Sequence, residues 1–341
     1  MKAAIYNPYL DTLGGGERYS LSVATVLKNH GYEVFIEWKD PLIKKKLEER
    51  FGIDLTGINF VDSIKRGDGY DLCFWVSDGS IPTLRARKNY LHFQVPFTNL
   101  NANTLINRMK FFRINKIICN SQFTKKFIDQ EFKVNSIVIY PPVLVEKIVP
   151  LKKQNQIIFV GRFSQLKQAK NHDILINAFK NLYDSGITNW KLILAGGIDI
   201  GVGDYLEKLK EKSKDLPIEF YENTSFTEIS KLYGKSKIFW SAVGYKIDET
   251  KEPEKVEHFG ISVVEAMAAG AIPLVFNAGG HKEIINNSKN GFLWNNTKEL
   301  LLYTKKLIKE RDLYIDISKN AIAQSKNFSY EKFEKTLLEI I

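Results

Sequence analysis

The chain has 341 residues, enough for two domains of ordinary size. Apolar residues make up 44% and charged residues 26%, which excludes a disordered or fibrous chain. The only cysteines, Cys73 and Cys119, lie in apolar runs, which argues against a disulfide framework and favours a reducing compartment. No apolar run reaches the about 20 residues of a membrane span, and the N-terminal residues predict a strand instead of a signal segment, so we expect a cytoplasmic protein.

Strands and helices alternate along the first half of the chain. The predicted strands are AAIYNPY, YEVFIEW, DLCFWVS, NYLHFQV, KIICNS and SIVIYPPV, and helices are predicted at about residues 17–29 and 41–51. This alternation indicates a parallel sheet with crossover helices.

The same alternation restarts after the polar segment 152–155. The predicted strands are QIIFVGRF, WKLILAGG, PIEFYE, KIFWSAV and AIPLVFNAGG, with helices at about 171–184 and 228–233 and a helical region beyond Leu300. We therefore predict an α/β fold with two Rossmann-like, doubly wound domains that face a central cleft. The first is residues 1–150, completed by the C-terminal helix at about 325–341, and the second is residues 151–324.

The segment EHFGISVVEAMAAG, residues 257–270, predicts an anion site. Glu257 comes just before Phe259 and Gly260, and Glu265 lies eight residues after Glu257, inside a short helix. The first N–H groups of a helix have no intrahelical partner and attract anions. Carboxylates on both sides of that helix start can accept hydrogen bonds from sugar and ribose hydroxyls, so the segment predicts a nucleotide-diphosphate sugar site. The alternative is a capping residue and a solvated helix face.

Two cations are predicted above the same sheet. The strand ending in Gly161-Arg162 is followed by Lys167 and Lys170 at the start of the next helix. Arginine can bind a diphosphate with two parallel hydrogen bonds and lysine can act as a point charge. The alternative is a plain basic loop. The turn Gly279-Gly280, which follows a strand, is predicted to point into the same cleft.

Two weaker candidates lie in the first half. Gly14, Gly15 and Gly16 open a helix after the first strand, where glycine lets the backbone approach a ligand, although a tight turn explains them equally well. His92 lies near the carboxyl end of a predicted strand, where α/β proteins bind ligands, and a structural role is its alternative.

These motifs carry a family resemblance. EHFGISVVEAMAAGAIPLVFNAGG, with VGRF and KNHDILINAF, closely resembles glycosyltransferase family 4, the retaining enzymes of the GT-B fold. WSAVGYKIDETKEPEKVEHFG, NPYLDTLGGGERY and LHFQVPF are similar to its branch of eukaryotic lipid-linked oligosaccharide mannosyltransferases. The resemblance implies a GT-B fold and transfer of a hexose with retention, in which the leaving phosphate deprotonates the acceptor.

The resemblance also implies a role for each matched residue. Arg162 and Lys170 would hold the donor diphosphate, Glu265 the ribose hydroxyls, and Glu257 the donor sugar. Gly260, Ile261 and Ser262 would offer backbone N–H groups to the donor, and Phe259 would be a further donor-binding residue. Gly15 and Gly16 would lie beside the phosphates, and His92 would lie near the sugar. The family's lysine usually lies five residues after the arginine, which gives Lys167; alignment on the Lys-Asn-His helix start gives Lys170, which we prefer.

The expected partners are a nucleotide-diphosphate sugar and a lipid-linked or glycan acceptor. No cofactor and no metal ion are expected, because no metal-binding Asp-x-Asp pattern is present. From Arg85 to Lys133 there are ten basic and two acidic residues, which suits an anionic membrane surface on the cytosolic side or a solvated basic face. The alternative functions are an NAD-type Rossmann oxidoreductase, which would need a spaced glycine fingerprint that the chain lacks, and a non-enzymatic polyanion-binding protein; nucleic acid is not an expected partner.

Overall fold

A computed structural model describes residues 1–12, 14–165, 168–198 and 203–341. The chain divides into two compact units. The N-terminal unit is residues 1–142 with 330–341, and the C-terminal unit is residues 143–329. The sequence prediction put the two boundaries near residues 150 and 325.

The N-terminal unit is built on a parallel sheet of seven strands in the order β3-β2-β1-β4-β5-β6-β7. The strands are β1 Lys2–Tyr6, β2 Glu33–Glu37, β3 Ile58–Val61, β4 Leu72–Val76, β5 Lys88–Phe93, β6 Lys116–Cys119 and β7 Ile137–Val138. The connecting helices are α1 Gly15–Asn29, α2 Ile43–Phe51, α3 Leu105–Phe111 and α4 Gln122–Phe132. Strands such as LCFWV are apolar at nearly every position because helices cover both faces of a parallel sheet.

The C-terminal unit has a parallel sheet of six strands in the order β10-β9-β8-β11-β12-β13. The strands are β8 Gln154–Val160, β9 Lys191–Gly196, β10 Ile218–Glu222, β11 Ser236–Ser241, β12 Ile272–Phe276 and β13 Phe292–Trp294. The helices are α5 His172–Asp184, α6 Gly203–Ser213, α7 Phe226–Lys235, α8 Ile261–Ala268, α9 His281–Ile284, α10 Thr297–Lys309 and α11 Arg311–Ser325. The strand order reverses between β8 and β11, and doubly wound sheets bind ligands beyond the carboxyl ends of the strands at such a switch point.

The last helix, α12 Tyr330–Leu338, belongs to the N-terminal unit. Its side chains Phe333 and Leu337 are 3% and 0% exposed, and Phe333 packs edge-on against Tyr19 of α1 with ring centroids 5.2 Å apart. The Tyr90 hydroxyl also donates to the Ile340 carbonyl at 2.8 Å. The C-terminal residues therefore complete the core of the unit in which the chain begins. None of the helices in the described ranges has the length and apolar character needed to span a bilayer.

Candidate functional site

The turn after β8 lies at the switch point of the C-terminal sheet. The Gly161 N–H donates to the Ala195 carbonyl and the Phe163 N–H to the Gly197 carbonyl, both at 2.9 Å, so the turn stays beside the end of β9. A Cβ atom on Gly196 would lie 1.9 Å from the Gly161 carbonyl oxygen, so only glycine fits there. The half-buried Arg162 is carried by this turn, as the sequence predicted.

Lys170 reaches the same turn from the start of α5. A Cβ atom on Gly161 would lie 3.4 Å from Lys170 Cγ, so the lysine stem runs beside that glycine. Its Nζ donates to Gln168 Oε1 at 2.6 Å and lies 3.5 Å from Glu257 Oε2. The next residue, Asn171, anchors the helix start, because its Nδ2 donates at 2.8 Å to the carbonyl of Ala242, just beyond β11. Of the two candidate lysines, Lys167 lies outside the described residues.

Glu257 and Lys170 form a mostly buried ion pair. Their side chains are 17% and 14% exposed. Burial acts to raise the pKa of Glu257, but the nearby Lys170 ammonium lowers it, and the net result is a pKa below the ordinary value. Glu257 is therefore a carboxylate at neutral pH.

The Gly279-Gly280 turn fixes the backbone of Glu257. The Gly280 N–H donates to the Glu257 carbonyl at 2.7 Å. A Cβ atom would lie 2.1 Å from the Glu257 carbonyl oxygen if placed on Gly279, whose φ is +56°, and 2.6 Å from the His258 carbonyl oxygen if placed on Gly280. The two glycines thus let the turn pack directly against the segment before α8.

The start of α8 adds backbone donors to this segment. Gly260 precedes the helix with φ +120° and ψ +57°, a conformation that favours glycine. The first-turn N–H groups of Ile261 and Ser262 have no intrahelical acceptor. Further along, Glu265 is 7% exposed and accepts a hydrogen bond from the Tyr233 hydroxyl at 3.2 Å.

The side chain of Phe259, a predicted donor-binding residue, lies in the core of the C-terminal unit. It is 2% exposed and packs edge-on against Phe328 with centroids 5.3 Å apart. An apolar ring between a charged residue and the helix start is pulled into the core, so the side chain is structural and only the backbone lies in the site segment.

His92 lies in the core of the N-terminal unit and does not face a ligand site as predicted. It is 0% exposed on β5 and stacks on Tyr19 at 4.1 Å and Phe74 at 5.5 Å. Burial lowers the pKa of His92 to about 3, so the ring is neutral at physiological pH. The prediction of a ligand-facing histidine is wrong for this structure, because side chains alternate between the two covered faces of a parallel strand and His92 faces the core.

Gly15 and Gly16 form the first turn of α1 in the N-terminal unit. A Cβ atom on Gly16 would lie 1.8 Å from Gln94 Oε1, so close packing against Gln94 is one reason for a glycine. Gly14 is the cap of the helix, and its N–H donates to the Glu17 carboxylate. The first-turn amides of α1 have the same anion-attracting character as those of α8.

Two residues of the C-terminal site were not predicted. Gln168 joins the ion pair to the loop before α8, since it accepts from Lys170 and donates to the Val256 carbonyl. His281, directly after the glycine turn, is 0% exposed and its Nδ1 lies 2.8 Å from the Phe276 carbonyl oxygen. Its position beside the Gly-Gly turn was the available signal, whereas a loop glutamine gives none. No group of three or more His, Cys, Asp or Glu side chains suited to a metal ion occurs within the described ranges.

Two doubly wound parallel sheets in one chain define the GT-B class of glycosyltransferase folds, and the predicted fold class is confirmed. The crystal structure of Anabaena Alr3699/HepE in complex with UDP matches with a TM-score of 0.79 and 18% identity, over 99% of both chains. At this identity the match establishes the fold alone. The glycosyl transferases group 1 family matches residues 144–324, more than half of the chain. The chain therefore belongs to the glycosyl transferases group 1 family.

The relatives confirm the resemblance to lipid-linked oligosaccharide mannosyltransferases. The GDP-Man:Man(3)GlcNAc(2)-PP-Dol alpha-1,2-mannosyltransferase of Dictyostelium discoideum is 29% identical over 231 residues, 62% of this chain and 43% of the relative. The alpha-1,3/1,6-mannosyltransferase ALG2 of Candida glabrata is 25% identical over an alignment that covers 92% of this chain and 85% of the relative. The match thus spans less than half the length of the first relative. Family membership sets aside the oxidoreductase and non-enzymatic alternatives.

Proposed function

We propose that the chain transfers a hexose from a nucleotide-diphosphate sugar to a lipid-linked or glycan acceptor, with retention at the anomeric carbon and without a metal ion. The observation that carries the proposal is the meeting of Lys170 and Glu257 beside the Gly161-Arg162 turn. These residues come from distant parts of the chain, and they meet at the switch point of the sheet, next to the start of α8.

The proposed chemistry follows from the charges at this point. When the bond between C1 of the sugar and the diphosphate oxygen breaks, negative charge increases on the diphosphate and positive charge develops on the ring. Arg162, Lys170 and the first-turn amides of α8 would stabilise the leaving diphosphate. One fixed donor of this kind is worth about 3 kcal/mol of transition-state free energy. The acceptor oxygen would attack the same face, and its proton would pass to the leaving phosphate.

The carboxylates would orient the donor. Glu257 is ionised and held by the Gly279-Gly280 turn, which suits it to accept hydrogen bonds from sugar hydroxyls. Glu265 is buried beside Tyr233, which suits a fixed acceptor for ribose hydroxyls. The roles of Gly15 and Gly16 stay predictions that the family resemblance implies. We leave His92 out, because its ring is enclosed in the core.

The names of the relatives support the proposed acceptor class. A lipid-linked acceptor is proposed because the Dictyostelium relative is named for a PP-Dol substrate. We further propose a cytoplasmic protein attached to the cytosolic membrane face through the basic span from Arg85 to Lys133. The named relatives transfer mannose, one from GDP-mannose, whereas the Anabaena neighbour holds UDP, so GDP and UDP are the first donor nucleotides to test.

The test is a thermal-shift screen of the full chain with GDP, UDP, NAD and an oligonucleotide, followed by hydrolysis and transfer assays with a panel of nucleotide sugars. We expect stabilisation by one nucleoside diphosphate, no response to NAD or the oligonucleotide, and transfer that persists in EDTA. Lys170→Met should lose the nucleotide response, while Lys214→Met, an exposed lysine of the same unit, should keep it. A response that survives Lys170→Met unchanged would remove the proposed diphosphate site.

A further inference from the structure

Helix α3 of the N-terminal unit presents apolar side chains to solvent. Leu105 is 74% exposed, Ile106 66%, Met109 63% and Phe112 89%, and we call these four side chains the α3 apolar face. They lie within eight residues of one another, whereas the other exposed large apolar side chains of the described ranges are mostly single. Single exposed apolar residues are normal on a protein surface, but a cluster marks an interaction site.

The α3 apolar face covers one side of an anchored helix. At about 100° of rotation per residue, its four members fall within an arc of about 120°. The opposite side packs inward, where Phe111 contacts Phe132 edge-on with centroids 6.2 Å apart and Asn107 Nδ2 donates to the Ala102 carbonyl at 2.8 Å. The helix is therefore fixed to the body by one side while its apolar side faces water.

Basic side chains lie next to this face. Arg108, on the helix, and Arg113, one residue beyond Phe112, are both exposed. Arg108 is steadied by its Nε, which donates to Asn103 Oδ1 at 3.0 Å. Arginines at the edges of an apolar strip can reach lipid phosphates while the apolar side chains enter the layer below.

The two acidic residues of the surrounding basic span are occupied by internal contacts. The Glu131 carboxylate accepts from the N–H groups of Asn99 and Leu100 at 3.0 and 2.9 Å. Asp129 pairs with Lys125 at 2.6 Å. Both carboxylates are thus held against the protein, and with ten basic and two acidic residues the span keeps a positive surplus that sets the field around α3.

We propose that the α3 apolar face inserts into the headgroup region of an anionic lipid bilayer, with Arg108 and Arg113 at the lipid phosphates. A second copy of the chain fits less well, because the same basic surface would face itself and repel. The inference deepens the proposed function, since a lipid-linked acceptor is held in a bilayer, yet vesicle binding requires neither donor nor acceptor.

Vesicle flotation of the full chain tests the apolar part. The test variant is Ile106→Ser/Met109→Ser/Phe112→Ser, and its matched control is Leu42→Ser/Leu302→Ser/Ile315→Ser, whose side chains are 73%, 62% and 49% exposed elsewhere. With phosphatidylcholine vesicles that contain about 30% phosphatidylserine, we expect the wild type and the control to bind and the test variant to bind at least about tenfold more weakly. Equal binding by the test variant would overturn the proposal.

The charge part uses a second matched pair. Arg108→Ala/Arg113→Ala and Lys298→Ala/Lys319→Ala remove the same charge from exposed positions. Only the first should weaken binding, by about tenfold, and binding should fall with added salt and without phosphatidylserine. The proposal would be overturned in favour of a chain–chain contact if the wild type did not bind vesicles but formed a dimer in light scattering that the apolar test variant abolished. A failed nucleotide response with intact vesicle binding would refute the proposed enzymatic function alone.

Discussion

Removal of either charge from the Lys170–Glu257 pair is expected to destabilise the C-terminal unit, and the two removals should not be additive. Lys170→Met leaves a mostly buried carboxylate without its cation, and Glu257→Gln leaves a mostly buried ammonium without its anion. In the double variant neither charge is left, so it should be less destabilised than the sum of the two single variants.

The magnitude follows from the separation and the burial. Two unit charges 3.5 Å apart attract by about 5 kcal/mol at an effective dielectric constant of about 20. Desolvation of both groups offsets much of that attraction, so we expect a coupling free energy of about 1–3 kcal/mol. Lys210 and Glu222, 2.8 Å apart but 37% and 36% exposed, provide a control pair in the same unit, for which about 0.5 kcal/mol is expected.

The assay is urea unfolding of the four chains of each double-mutant cycle, followed by the fluorescence of Trp240 and Trp294, which are 0% exposed in the C-terminal unit. The pKa of Glu257 is lowered from 4.5, so the pair contributes fully above that pH and the coupling should disappear as the pH falls through the lowered value. A coupling no larger than that of the Lys210–Glu222 control at pH 7 would refute the buried-pair reasoning.

Three further predictions address the site and the core. Gly280→Ala, whose Cβ would lie 2.5 Å from Phe259 Cα, should displace the segment before α8 and abolish the thermal response to nucleoside diphosphates. Gly186→Ala is the control: its Cβ meets nothing within 4 Å, so the φ of +93° should lower the stability by about 1 kcal/mol while the nucleotide response is kept. The Glu265→Ala variant, which lacks the acceptor, should bind ribonucleoside and 2′-deoxyribonucleoside diphosphates with equal affinity, whereas the wild type should prefer the ribonucleotide by about tenfold in a binding titration. His92→Leu should retain sugar transfer. The pKa of His92 is about 3 in the folded protein, against 6.5 in the unfolded chain, so the free energy of unfolding of the wild type falls as the pH drops from 6.5 to about 3. In acid-unfolding titrations over that range, the free energy of unfolding of the leucine variant should fall by about 1.4 kcal/mol less per pH unit.

The sequence predicted the long, periodic helices well but missed two short strands. The helices expected at residues 17–29 and 171–184 occur as α1 Gly15–Asn29 and α5 His172–Asp184. The strands β3 Ile58–Val61 and β13 Phe292–Trp294 were missed, and each forms one edge of its sheet, whereas the strands at the opposite edges, β7 and β10, were predicted. In both missed strands the apolar residues are few and lie next to polar or turn residues, so no apolar run stands out, and pairing with a neighbouring strand is what defines them.

Some parts of the candidate site could be predicted from local sequence, whereas others depend on tertiary contacts. The Gly161-Arg162 turn and the start of α8 are local signals, because glycine and the following helix are visible in the sequence. The Lys170–Glu257 pair and the burial of His92 depend on contacts between distant segments. No pattern within β5 tells which of its two covered faces His92 points to, since both are apolar.

The motifs of the C-terminal unit were recognisable because backbone packs directly on backbone there. Gly196 faces the Gly161 carbonyl, and Gly279 faces the Glu257 carbonyl, at distances that leave no room for a side chain. Each contact requires glycine at one position and also positions a charged residue. The first positions Arg162, which follows Gly161, and the second positions Glu257 itself. The glycines are therefore a clearer sequence signal of the site than the charged residues are. The surface of α3 has no such constraint, so its cluster of exposed apolar side chains becomes evident only when burial is known.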